Sequence, residues 1–243
     1  MSQNVVFSPT SAAPDPSGGA VVGRFAAAIF DMDGLLLDSE RPILDAWVQT
    51  AGELGVALAS DGLVHALGRR AEDARVLFRA AFPADFPFER ARTRVQALLT
   101  AGREQTGFVV KPGVAALLER LSVLGIPCAV ASSTRRAEVE RRLARADLTP
   151  YFRALVGGDE VDHGKPAPDT FLLAARRLEV EPAHCVVFED MEHGARGAVA
   201  AGMQAVLVPD LKQPTDEVRT LCLAVLTSLE LLDPHFATWF GTR

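Results

Sequence analysis

A doubly wound α/β core with an inserted α-helical cap is the fold class predicted by three observations. Short apolar runs recur along the chain, helical patterns fill the gaps between them, and about 70 residues after the first run show helical patterns without a convincing strand run. The apolar runs cover residues 26–30, 126–131, 154–156, 185–188 and 205–208. Runs this short and apolar on both faces read as buried parallel strands. Between them, residues 114–124, 136–146, 168–178 and 194–201 carry helical periodicity, with Gly125 and Gly202 placed as helix stops. A last apolar run, 223–226, predicts an edge strand before a terminal helix.

The segment 42–109 predicts helices over 43–54, 61–67, 72–81 and 88–99, enough for a small bundle. It follows the first strand, where α/β sheets hold their ligands, so it is positioned to cover the site. The expected organisation is a core of residues 23–41 and 110–243, a helical cap of 42–109, and a disordered leader of 1–22, rich in Ser, Pro, Gly and Ala. The 243 residues amount to about 1.6 domains at ~150 residues each, in keeping with a core and a smaller insert.

Charge and composition narrow the function classes. The net charge of −6, with no basic block, argues against nucleic-acid binding. The basic residues are Arg except for Lys111, Lys165 and Lys212, so chemistry that needs an amine has three candidates. Cys128, Cys185 and Cys222 are odd in number, and the first two lie in apolar runs; they read as buried thiols of a reducing compartment, which predicts a cytoplasmic protein. The apolar run 25–30 is too short to cross a bilayer, and no membrane partner is expected.

Candidate chemistry gathers at the ends of the predicted strands. Asp31 and Asp33 end the first; positions i and i+2 of extended chain face the same way, so the two carboxylates can converge, and a cation between them would relieve their repulsion. Taken alone, each is equally a turn or cap residue. Ser132 and Ser133 close the second strong strand, where a hydroxyl and backbone N–H groups entering a helix make an anion site or an ordinary cap. Lys165 precedes a turn stiffened by Pro166 and Pro168, and reads either as a placed cation or as an exposed turn residue. Glu189 and Asp190 end a further strand, where buried acids are costly unless solvated or bound to cations. The joint pattern favours a site.

These segments, DMDGLLLDSE, AVASST, GKPAPD and VVFED, resemble in order the four motifs of the haloacid dehalogenase superfamily, in its helical-cap branch, over residues 24–233; GARGAVAAGM resembles the helix that follows the last motif. The resemblance implies Asp31 as nucleophile, Asp33 as general acid and base, and Ser132, Ser133 and Lys165 as phosphoryl ligands. It also implies that amides of Met32 and Gly34 reach the phosphoryl oxygens. A Mg²⁺ cofactor would be held by Asp31, Asp190 beside Glu189, and the carbonyl of Asp33. Physical logic agrees: a carboxylate attacking a phosphate dianion is repelled by ~4 kcal/mol per charge pair at 4 Å and an effective dielectric near 20, which a metal and Lys165 would offset.

Within the family, Asp33 argues against haloacid dehalogenation, whose enzymes lack the second Asp, and a cap without Lys argues against imine-forming phosphonate hydrolysis. β-Phosphoglucomutase-like phosphoryl transfer is the alternative, weakened because Ile43 stands at its His position and Gly68-Arg69-Arg70 replaces its G-x-S-R stretch. The string GRRAEDA, with VVFED and AAGMQAVLVPD, is more similar to pseudouridine-5′-phosphatase and sugar-phosphatase members. The expected function is a Mg²⁺-dependent phosphatase of a small phosphorylated metabolite, a monomer by default. Arg69 and Arg70 are candidates for a second anionic group of the substrate or for solvated cap residues. His65, His163 and His193 are expected in surface loops, and Met191 departs from the small residue usual after the last motif. From another class, a phosphoacceptor or binding protein that keeps the fold is the rival; a receiver-like order of motifs does not match.

Overall fold

Strand β1, Ala27–Phe30, is buried on both faces and lies in the middle of a six-stranded sheet. This computed structural model describes residues 23–58 and 63–242; the expected leader, 1–22, lies outside the described residues. The strands β2 (Cys128–Ala131), β3 (Ala154–Val156), β4 (Cys185–Glu189), β5 (Gln204–Leu207) and β6 (Ala224–Val225) complete the order β3-β2-β1-β4-β5-β6, parallel throughout. Because the side-chain period of a strand is two, Ala28 and Phe30 enter one apolar layer and Ala27 and Ile29 the other. The first layer is closed by α4 (Val114–Leu124), α5 (Arg136–Arg145) and α9 (Asp233–Phe240), the second by α6 (Asp169–Leu178), α7 (Glu192–Ala200) and α8 (Asp216–Leu221). Phe30 and Phe188, paired in register across β1 and β4, stack at 4.9 Å and form the floor beneath the carboxyl edge of the sheet.

Between β1 and α4 lie α1 (Glu40–Glu53), α2 (Ala71–Ala80) and α3 (Phe88–Thr106), with no strand among the described residues. Their own core centres on Trp47, stacked on Phe78 and Phe88 at 5.1 Å each. The two connections to the sheet run side by side: Asp38 donates its amide to Val109 O and Lys111 to Leu36 O, both at 2.9 Å. Asp210, its side chain almost buried, accepts ion pairs from Arg41 in the first turn of α1 (2.7 Å) and from Lys111 of the return connection (2.6 Å).

Several elements differ from expectation. Helix α1 starts three residues early because Pro42 falls in the first turn, where its missing N–H costs nothing. The helix expected over 61–67 is, among the described residues, one 3₁₀ turn, Val64–Ala66; Leu67 is extended before Gly68. Helix α3 runs past 99 to Thr106, through a mostly polar stretch with no apolar stripe to mark it. Helix α8, unforeseen, is capped by Thr215, whose hydroxyl accepts the Val218 amide. No helix among the described residues is long and apolar enough to cross a membrane.

Candidate active site

Asp31 continues β1 by one residue, its amide donating to Phe188 O at 3.0 Å. Its carboxylate therefore emerges at the carboxyl edge between β2 and β4, where the strand order reverses and α/β sheets bind ligands. Lys165, on the loop before α6, reaches the same point. Its ammonium donates to Asp31 Oδ1, to Glu189 Oε1 at 2.6 Å and to Ala131 O at 2.9 Å, so all three hydrogens have acceptors although the side chain is only 2% exposed. Burial alone would lower the Lys165 pKa; Asp31 and Glu189 outweigh it and hold the amine charged. Asp31 is pushed up to about 8, by burial first, with Lys165 opposing and Glu189 and Asp33 adding to the rise.

Glu189, expected among the metal ligands, has both oxygens committed. Oε1 takes the Lys165 bond and Oε2 accepts the amides of Asp190 (3.1 Å) and Met191 (3.2 Å). It anchors the lysine and the strand end. Asp190 is different: its Oδ2 is buried without a hydrogen-bond partner, and burial followed by the charges of Glu40 and Glu189 raises its pKa.

The carboxylate of Asp33 is gripped from three directions. Oδ1 accepts from Ser39 Oγ and Arg142 Nη1, both at 2.5 Å, and Oδ2 from Thr134 Oγ1 at 2.8 Å. Burial would raise its pKa, but Arg142, then Ser39 and Thr134, outweigh it and hold the group below the usual carboxylate range. The Gly34 amide, expected to face a phosphoryl oxygen, instead donates to Leu37 O at 2.9 Å. The Met32 side chain is buried, and its carbonyl accepts from Leu36 and Leu37. Gly34 has φ +85°, and a Cβ there would stand 2.2 Å from Asp190 Oδ2, so glycine is needed for both backbone and space. Ser132 is buried and its Oγ accepts the Thr134 amide at 3.0 Å; its own hydroxyl hydrogen remains to donate.

Asp31, Asp33, Ser132 and Ser133 line a cavity of about 120 Å³ that Arg69 closes from the cap. A second space of about 520 Å³ shares Ser133, Thr134, Arg69 and Arg142 with it. Arg69 is exposed and its Nε donates to His65 O at 3.1 Å. Arg70, a candidate either for a second anionic group or for a solvated cap residue, donates its Nη atoms to Val161 O (2.9 Å) and Asp162 O (3.0 Å), and a Cβ on Gly164 would lie 2.7 Å from its Nε. The guanidinium braces the loop that leads into Lys165.

Sequence reasoning missed four residues. Ser39, Thr134 and Arg142 hold Asp33. Glu40 lines the smaller cavity with both carboxyl oxygens buried and unpartnered, and is pushed up to about 9 by burial, then by Asp33 and Asp31. Thr134 and Glu40 were visible at the ends of AVASST and DMDGLLLDSE; Arg142 had no local signal. His193 is no surface-loop residue: it opens α7, half-buried, and its Nε2–H donates to Gly68 O of the cap at 2.8 Å. His65 and His163 are exposed, the latter beside Asp169 at 3.2 Å. Met191 is buried in the apolar core of the cap, so the residue that departs from the motif packs the end of β4 against the cap.

Among the described residues no three His, Cys, Asp or Glu side chains form a ready metal cage. Mg²⁺ needs only one or two carboxylates because it keeps several waters. The orphaned Oδ2 of Asp190, beside Asp31 and facing the space that Gly34 leaves open, fits that requirement.

A family model for haloacid dehalogenase-like hydrolases matches residues 25–202. The chain belongs to the haloacid dehalogenase-like hydrolases. Fructose-1-phosphate phosphatase YqaB of Escherichia coli is 35% identical over 192 residues, spanning 75% of this chain and 96% of that protein. Phosphorylated carbohydrates phosphatase of Thermotoga maritima is 34% identical over 182 residues, 74% of this chain and 83% of that protein. A haloacid dehalogenase family hydrolase from Deinococcus radiodurans, whose crystal structure holds phosphate and sodium, superimposes with a TM-score of 0.72 at 30% identity, over 88% of this chain and 96% of that one. Within the haloacid dehalogenase-like hydrolases this chain is a phosphatase acting on phosphomonoesters.

Proposed function

We propose that this chain hydrolyses a small phosphorylated carbohydrate, with Mg²⁺ as cofactor, through an aspartyl phosphate formed on Asp31. The observation that carries this reading is the buried Asp31–Lys165–Glu189 cluster at the reversal point of the sheet, with the unpartnered Asp190 Oδ2 beside it. Asp31 would attack phosphorus, forming a P–O bond as the bond to the substrate alcohol breaks, and the departing oxygen would take a proton from Asp33. Arg142, Ser39 and Thr134 hold Asp33 ionised in this structure, so it must take up that proton from solvent as the phosphate dianion enters beside it. Asp33 would then take a proton from the water that attacks the aspartyl phosphate, releasing inorganic phosphate and restoring both carboxyl groups. Lys165, already on Asp31 Oδ1, would accompany the charge on the phosphoryl oxygens, and Ser132 would donate its hydroxyl hydrogen. Asp31, Asp190 and the Asp33 carbonyl would hold Mg²⁺, which when bound would supply positive charge to offset the repulsion between nucleophile and phosphate.

The carbohydrate class draws on the relatives, which act on fructose 1-phosphate and phosphorylated carbohydrates. It also draws on a paired cavity of the scale that suits a small metabolite, polar at the Arg69 edge. Ile43 lines the smaller cavity and offers no polar group, which favours hydrolysis over a mutase. The test is phosphate release from fructose 1-phosphate, hexitol phosphates and pseudouridine 5′-phosphate, with Mg²⁺ and with chelator. Release from a sugar or polyol phosphate that requires Mg²⁺ is expected; no release from any ester at any pH would sink the reading.

A further inference from the structure

Arg142 lies in the last turn of α5, outside the four motif segments, yet it is the only charged donor in the described contacts of the Asp33 carboxylate. Its side chain is 11% exposed. Nε is fixed by Glu138, one turn earlier, at 2.7 Å, which leaves Nη1 aimed at Asp33 Oδ1. The guanidinium also sits over the ring of Phe108 at 5.6 Å, and Arg103 of the cap helix α3 stands over the same ring at 5.2 Å. Phe108 belongs to the connection that pairs with Asp38. One half-buried arginine thus touches both the group that moves protons and the segment through which the cap is joined.

We propose that Arg142 is a positioning residue for proton transfer by Asp33, tied through Phe108 to the connection between cap and sheet. The inference rests on the reading of Asp33 as the group that protonates the leaving oxygen. A guanidinium does not give up its proton at any working pH, so Arg142 cannot relay one. What it can do is fix direction. Ser39 and Thr134 are neutral donors on short side chains, whereas the Arg142 fork, held by Glu138 and seated on Phe108, decides how far the carboxylate turns. Phe108 lies in the connection between cap and sheet, so the fork that orients Asp33 is seated on the segment that joins them.

The test separates orientation of Asp33 from general loss of structure by varying how much proton the leaving group needs. Single-turnover release of the leaving group itself, which precedes the aspartyl-phosphate hydrolysis that both esters share, is measured for p-nitrophenyl phosphate, whose phenolate leaves with little protonation, and for a sugar phosphate that the wild type turns over. Arg142→Ala should slow release from the sugar phosphate roughly 10- to 100-fold while slowing release from p-nitrophenyl phosphate about threefold at most. Arg142→Lys should recover part of the loss. Glu138→Gln and Phe108→Leu, which loosen the brace and leave the arginine in place, should shift the ratio of the two rates in the same direction by a smaller factor, and they serve if Arg142→Ala does not fold. Asp33→Asn sets the scale: if it too slows both esters equally, the role of Asp33 falls. If Asp33→Asn shows the leaving-group dependence and the Arg142, Glu138 and Phe108 variants leave the ratio unchanged, only this inference is overturned.

Discussion

Replacing Gly34 by Ala should disable the site far more than it destabilises the fold. Two costs follow from the geometry. At φ +85° an L side chain is strained by about 1–2 kcal/mol. The added Cβ would also stand 2.2 Å from Asp190 Oδ2 and 2.9 Å from its Cγ, where ordinary contact begins near 3.4 Å, so the carboxylate must retreat by about 1.2 Å. A displacement near 1 Å at a catalytic group lowers turnover by up to ~100-fold. The backbone strain alone corresponds to a fall in Tm of roughly 2–8 °C for a chain of this size. The assay is phosphate release against Mg²⁺ concentration, alongside thermal unfolding. Gly34→Ala should lower kcat about 100-fold and raise the Mg²⁺ needed for half-maximal rate. Gly202→Ala is the control: φ is +77° but nothing lies within 4 Å of the added carbon, so Tm should fall comparably with activity intact. Wild-type activity in Gly34→Ala, or equal losses in both variants, would refute the reasoning.

Three further outcomes are expected. Asp31→Asn should abolish turnover and prevent beryllium fluoride from forming an adduct on that side chain; an active variant overturns the assignment of the nucleophile. Metal-free protein should lose thermal stability as pH rises: Asp31 and Glu40, raised by burial to about 8 and about 9, contribute most below their unfolded values near 4 and lose that contribution as pH climbs through the folded values. Mg²⁺ should therefore raise Tm more at about pH 8.5 than at about pH 5.5, and equal increments would count against a metal seated among these acids. Arg70→Ala, which frees the loop before Lys165, should impair all phosphate esters alike, whereas Arg69→Ala should raise KM selectively for the preferred sugar phosphate; the opposite pattern would restore Arg70 to the substrate.

The parts legible in the sequence were those written locally. A four-residue apolar strand followed by Asp-x-Asp, a Lys before a proline turn and an acidic pair after another apolar strand carry their meaning within a few residues, and β1, β2 and β4 bring them to one edge. The grip on Asp33 was not legible because α5 is rich in arginine and surface periodicity accounts for each of them equally well; only the packed helix singles out Arg142. His193 was misplaced for a related reason: its partner is a backbone carbonyl of the cap, which no side-chain pattern announces. Arg70 was read by its charge, while the structure uses its fork on two carbonyls of the core. The end of α3 and the whole of α8 escaped because polar helices have little apolar stripe to reveal them.

The central position of β1 also governs the order in which the molecule can be put together. Its neighbours β2 and β4 are separated from it in the chain by the entire cap and, for β4, by β3 and α6 as well. During synthesis the segment bearing Asp31 and Asp33 is made early and waits, unpaired, for both flanking strands. The cap, whose Trp47, Phe78 and Phe88 come from neighbouring stretches of chain, can collapse in that interval. By the time Glu189 arrives to seat β4 beside β1, Lys165 has already been made. The nascent chain therefore does not have to hold Asp31 and Glu189 together in the absence of the cation that makes their burial tolerable.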